Sequence, residues 1–123
     1  MNVQKFTQKS LQAVNDLEKI AYEYGNQEVE QEHLLYSLLN QEDSLILKLI
    51  EKMEINKDEF KSSLVQALEK RPKVSGGQVY IGQDLNRVLV SAEDEAKAMG
   101  DEYVSVEHLF LALLKYPSRS MKE

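Results

Sequence analysis

Two tripeptides, Glu32-His33-Leu34 and Glu107-His108-Leu109, hold the residue types with the widest chemical repertoire in the chain, and they recur 75 positions apart. An imidazole can ligate a metal or move a proton, and a glutamate can act as a base or hold a cationic group. A zinc site, however, needs three or four converging ligands. Two lone histidines, no cysteine and no HExxH spacing fall short of that, so no metal site is expected. A histidine in the first turn of a short helix more often buttresses the helix start through one locally bonded ring nitrogen. The two glutamates allow two readings. A carboxylate in a first helical turn is favoured by the macrodipole, and duplication alone would repeat it. Alternatively, Glu32 and Glu107 face outward at repeat-related sites, ready to accept a partner's basic group or peptide amides.

Other catalytic patterns are missing. The acidic residues are scattered, without a pair singled out at a glycosidase separation. There is no GxSxG nucleophile elbow and no GxxxxGK[ST] phosphate loop, and Gly76-Gly77 runs into Gln78. With no cysteine, disulfides and thiolate chemistry are also excluded. Neither an enzyme nor a cofactor site is expected in these residues.

The elements that position the tripeptides are themselves repeated. Thr7–Leu39 lies over Gly82–Leu114 without a gap, sharing Gln8/Gln83, Glu18/Glu93, Ala21/Ala96, Gly25/Gly100, Val29/Val104 and Leu38/Leu113. Such self-similarity indicates two copies of one helix-turn-helix unit around a shared core. A first helix is predicted from about residue 8 to Tyr24, with Thr7 as N-cap, Phe6 and Leu11 as hydrophobic staple, and Gly25 as left-handed terminator. A short helix then carries Leu34, Leu35, Leu38 and Leu39, and a third spans about 44–53. Asn56 and Glu59 open a fourth as a capping box, and Pro72 lies beyond its end. The turn-rich stretch 71–82 reads as a linker crossing the surface, with Tyr80 packing down on the core. A fifth helix with Leu85, Val88, Leu89, Ala92, Ala96 and Met99 stops at Gly100, and Ser105 caps a sixth that Pro117 ends.

The architecture expected is therefore all-α, with two pseudo-symmetric helical repeats: repeat one at about 1–71, a linker at about 72–82, and a partial repeat two at about 83–123. The counterpart of residues 43–71 would occupy about 118–146, so the second repeat is expected to be truncated, as in a fragment of a longer protein; a minimal six-helix domain is the alternative. At 123 residues the chain is large enough for one continuous core, and 42% hydrophobic with 29% charged residues fits a folded helical domain. A net charge of −6 without a basic stripe argues against nucleic acid. No signal-peptide-like stretch and no run of membrane-spanning length is present, so a cytoplasmic location is expected.

KFTQKS, GNQEVEQEHLLYSLL, RPKVSGGQVY and AEDEAKAMGDEYVSVEHLFLALL together resemble the amino-terminal domain of the Clp/AAA+ chaperone family, in its ClpB-type disaggregase branch. The resemblance covers essentially the whole chain. It implies a mobile, non-enzymatic accessory domain that engages unfolded or aggregated polypeptides and passes them to a hexameric AAA+ ring, whose ATP and Mg belong to downstream modules. An adaptor or co-chaperone is a further implied partner. Thr7, Asp101 and Glu107 match the family's positions for substrate engagement, with Leu85, Leu89 and Leu109 as candidates for a nearby groove. The ClpC-like branch implies the alternative, adaptor docking or phosphoarginine binding, in which Glu32 and Glu107 would grip the guanidinium. Gly82 departs from that pattern, standing where the threonine equivalent to Thr7 is expected.

Overall fold

In the computed structural model, which describes residues 3–74 and 76–122, helix starts and stops follow side-chain chemistry closely. Thr7 accepts the amide of Ser10 at 3.2 Å and opens α1 (Gln8–Asn15). Phe6 before it is buried, and Leu11 packs on the core. The single helix predicted to Tyr24 is interrupted at Asp16 and resumes as α2 (Leu17–Glu23). Asp16 keeps right-handed helical backbone angles, and i→i−4 bonds flank it, from Asp16 N–H to the Gln12 carbonyl and from Ile20 N–H to its own. The stop after α2 occurs twice. Gly25 (φ +71°) and Gly100 (φ +73°) take the left-handed position, and the next amides, of Asn26 and Asp101, donate to the carbonyls of Ala21 and Ala96, each at 2.8 Å. This is the Schellman arrangement, and it explains why Ala-x-x-x-Gly is shared by both copies.

The chain continues through β1 (Glu28–Val29), α3 (Gln31–Leu39), α4 (Leu45–Lys52), α5 (Lys57–Lys70), β2 (Tyr80–Ile81), α6 (Gln83–Ala98), α7 (Val106–Lys115) and α8 (Arg119–Lys122). Asn56 caps α5 by accepting the amides of Asp58 and Glu59 at 3.0 and 3.1 Å. The fold is all-α apart from short stretches of extended pairing, which were not foreseen. β1 and β2 pair in parallel, with Val29 opposite Ile81, and an isolated parallel bridge joins Phe6 to Val104. The two pairings are copies of one another. Thr7 donates its amide to the Val104 carbonyl at 2.9 Å, and Gly82 donates to the Val29 carbonyl, also at 2.9 Å. The segment entering each repeat thus pairs with the connector inside the other repeat.

Between these pairings, α1, α3, α6 and α7 enclose one core. Leu34, Leu38, Leu85, Val88 and Ala92 are wholly inaccessible, and burying a leucine contributes about 2 kcal/mol. The symmetry is incomplete toward the chain's end. Leu39 on α3 is 1% exposed, whereas its counterpart Leu114 on α7 is 55% exposed. Helix α8, not predicted as an element, falls where the offset of 75 puts the first turn of α4, and it lays Met121 against the core. No helix among the described residues is long and apolar enough to cross a membrane.

The left-handed stop at Gly100 has no atom within 4 Å of a built Cβ, so its cost on substitution is purely conformational. Gly100→Ala should lower stability by about 1 kcal/mol in chemical denaturation. An unchanged midpoint would show that the φ observed there is not required.

Candidate functional site

Each Glu-His-Leu segment begins a helix held by the same clasp. Glu30 and Ser105 occupy the N-cap positions of α3 and α7. Their backbone amides donate to Nδ1 of His33 and His108, at 2.9 and 2.8 Å. With Nδ1 accepting, the proton lies on Nε2, which meets Asn26 Oδ1 at 2.9 Å in the first copy and Asp101 Oδ2 at 2.8 Å in the second. Each histidine therefore ties the helix start to the residue after the left-handed glycine. It acts as a strut within the fold, and no group of three or more His, Cys, Asp or Glu placed to hold a metal occurs among the described residues. The recurring Asn or Asp seven residues before the histidine was the sequence signal for this clasp.

The glutamates have separated in role. Glu32 does not face outward: it is 2% exposed, and Arg71 Nη1 lies 3.4 Å from its carboxylate while Nη2 reaches Glu28 at 2.9 Å. Arg71 comes from the start of the linker, which lies down over the turn after α2. There Asn26 donates to the Pro72 carbonyl at 3.2 Å, Val74 to that of Gly25 at 2.9 Å, and Lys73 to that of Tyr24 at 2.8 Å. Glu107, by contrast, is exposed and has no ion-pair partner among the described residues.

Of the sequence-predicted residues, the structure gathers Thr7, Asp101 and Glu107 around the N-terminal end of α7. Thr7 is bonded to Val104, Asp101 is bonded to His108 yet keeps about half its side chain exposed, and Tyr103 in the same connector is 49% exposed. Leu85, Leu89 and Leu109 are at most 1% exposed and belong to the core; a client could reach them only by opening the helices. Tyr80, expected to pack inward, is 52% exposed because β2 fixes its backbone at the edge of the pair. An apolar groove of about 270 Å³, lined by Leu35, Met53, Ile55, Phe60, Leu114 and Met121 among others, runs between α4, α5 and α7 and includes none of the three polar residues.

The Gly82 departure has a steric cause that sequence could not supply. A Cβ on Gly82 would overlap the Glu30 carboxylate, which fills the place of the side chain that Thr7 carries in the other copy. The position equivalent to Glu30 in the other copy carries the smaller Ser105. The two N-cap pairs, Thr7 with Ser105 and Gly82 with Glu30, are alternative ways of dividing one volume. Burial, followed by the nearby Glu28 and Asp84, pushes the Glu30 carboxyl up to about 7, while Arg71 pulls the other way. Burial, then Arg71, lowers His33 to about 4.

These features define a duplicated all-α module with an exposed polar face at the start of α7. Residues 5–123 match the family described as the Clp repeat (R) N-terminal domain, and the chain belongs to that family. The ClpB chaperone of Nitratidesulfovibrio vulgaris is 43% identical over 126 residues, covering 98% of this chain. The chain spans only about 15% of that relative's length. The Hsp104 N-terminal domain from Candida albicans superposes with a TM-score of 0.84 at 22% identity, covering 96% of this chain and 77% of that one. A ClpV N-domain solved with a VipB peptide gives 0.77 at 18% identity, covering 96% and 75%.

Two outcomes follow. Gly82→Thr alone should destabilise the fold by about 1–3 kcal/mol through overpacking, and adding Glu30→Ser should recover most of that loss by rebuilding the Thr7–Ser105 pairing. Additive effects in the denaturation cycle would contradict the shared volume. The depressed His33 contributes stability present above its unfolded value of 6.5 and lost as pH falls through 4; the raised Glu30 acts oppositely, its contribution lost as pH rises from 4.5 through 7. In Glu30→Gln, where the second trend is gone, stability should fall by roughly 3 kcal/mol on acidification across the His33 window. Its ring signal should titrate near 4; an ordinary midpoint would refute the strut.

Proposed function

We propose that this chain is a client-binding accessory domain of a ClpB-type chaperone. It engages unfolded or aggregated polypeptide at the N-terminal end of α7 and delivers it to an ATP-driven, hexameric AAA+ ring in the cytoplasm. The reading is supported by membership of the N-terminal domain family and by relatives that are ClpB chaperones. It is supported too by a structural neighbour whose N-domain was solved with a peptide. The matched family is the N-terminal domain, so the ATP and Mg required for threading belong to other modules of the parent protein.

The observation that carries the assignment of the face is the unequal fate of the two glutamates. Glu32 is closed in by the chain's own Arg71, whereas Glu107 stands exposed beside Thr7, Asp101 and Tyr103. Carboxylates there can accept peptide amides or a basic side chain, and Tyr103 offers apolar area with a polar tip. Adaptor docking or phosphoarginine capture at the same face is the ClpC-like alternative, favoured by the intact Thr7–Glu107 combination.

Titration of the labelled chain with a permanently unfolded polypeptide should shift the amides of residues 101–108 and Thr7. Glu107→Ala, which leaves the His108 clasp in place, should weaken binding by about fivefold or more. Shifts confined to the opposite face would sink the proposed site, and saturation by free phosphoarginine at lower concentration than by the unfolded chain would favour the alternative.

A further inference from the structure

The joint between the two copies on the Gly82 side is built around a buried carboxyl group. Gly82, at the start of α6, gives its amide to the Val29 carbonyl at 2.9 Å, and Val29 pairs with Ile81. The Glu30 carboxyl sits over Gly82, in the volume that a Cβ would take. Glu30 is only 7% exposed, and its Oε2 has no hydrogen-bond partner among the described residues. Negative charge in such a seat is costly, because the water it gave up is not fully replaced.

The charged groups around Glu30 add to that cost. Glu28 on β1 and Asp84 on α6 both disfavour its ionised form. Arg71 from the linker opposes them, yet it is held by Glu28 at 2.9 Å and by Glu32 on α3 at 3.4 Å. His33, on the same helix as Glu30, takes the Glu30 amide at Nδ1 and is held well below its ordinary range, so it supplies no positive charge near neutrality. Arg119 lines the adjoining cleft and forms no ion pair among the described residues. That cleft, about 860 Å³, is also lined by Glu30 and Gly82, so open space lies directly beside the seat.

We propose that Glu30 is a two-position switch, driven by its own protonation, that tightens or loosens the joint between the copies. Uncharged, it stays seated over Gly82 and completes the contact between the starts of α3 and α6. Ionised, it turns out into the cleft, and the emptied seat loosens the Gly82–Val29 bond and the β1–β2 pairing. A carboxyl whose value is raised in the seat favours the seated form in acid, and loses that contribution as pH rises from 4.5 through about 7. The joint is therefore tightest at low pH. The twin joint has Thr7 and Ser105 at the matching positions, neither of which ionises in this range. The switch does not rest on the function proposed for the face at α7.

The test is amide hydrogen exchange of the whole chain, read residue by residue from about pH 4.5 to 8 and corrected for the intrinsic effect of pH. Protection of the Gly82 amide should fall by up to roughly 300-fold across that range, the ratio set by a rise from 4.5 to about 7. Over the same range the Glu30 carboxyl carbon should titrate near 7. Glu30→Gln keeps the side chain's size without its charge. It should flatten the Gly82 profile and leave that of the Thr7 amide, bonded to the Val104 carbonyl, as it was. Gly82→Ala puts a methyl group in the seat and should hold protection at this position low at every pH. A flat Gly82 profile in the parent chain, a dependence that survives Glu30→Gln, or an ordinary carboxyl midpoint would overturn the proposal. An equal loss of protection at all core amides would overturn it too, since the whole fold and not the joint would then be opening.

Discussion

Everything in this molecule is organised by one reciprocal backbone exchange. Phe6 and Thr7, entering the first copy, pair with Val104 in the connector of the second; Ile81 and Gly82, entering the second, pair with Val29 in the connector of the first. Each connector is the segment between a left-handed glycine and a Glu-His-Leu helix start. The exchange therefore fixes three things together: the direction of α1 and α6, the position of the histidine clasps, and the spacing of the two glutamates. The helices fill the space so defined with leucine and alanine, and their packing provides most of the stability. The extended pairs decide which faces meet. Short as they are, they satisfy backbone groups between helices that would otherwise lack partners.

Duplication of such a frame yields two equivalent surface positions, and the chain treats them unequally. One is closed by its own linker, with Arg71 on Glu28 and Glu32 and the stretch 72–74 bonded across the preceding turn. The other is left open around Glu107. The inequality extends to the N-caps, where a threonine facing a serine in one place becomes a glycine facing a glutamate in the other. A shared ancestor motif has become two surfaces of different chemistry while the clasps beneath them, Asn26–His33 and Asp101–His108, stayed alike.

The helices and their caps were legible in the sequence because their determinants are local: Thr7, Ser105, Asn56, the two left-handed glycines and the leucine spacing each act within a few residues. The gap-free repeat even carried the pseudo-symmetry. The inward turn of Glu32 was not legible, because it depends on Arg71, a residue 39 positions away that reads locally only as the neighbour of Pro72. The extended pairs escaped notice for a similar reason, being two residues long and joined across distant parts of the chain. Assigning Leu85, Leu89 and Leu109 to a groove failed because apolar periodicity does not distinguish a helix face turned to the core from one turned to a partner. Asp101 was named as a candidate from the resemblance alone, and its bond to the histidine was visible only in three dimensions.

The exchange has a consequence for how the chain comes into being. The bridge between Phe6 and Val104 joins residues far apart in sequence, so it cannot close until Val104 has been synthesised. The first copy emerges with its entry segment unpaired and the connector at Val29 waiting for Ile81, so neither half can reach its final form alone. The two copies, although each looks like a self-contained hairpin of helices, complete one another's backbone pairing. Cutting the molecule at its linker would separate not two small domains but two incomplete ones.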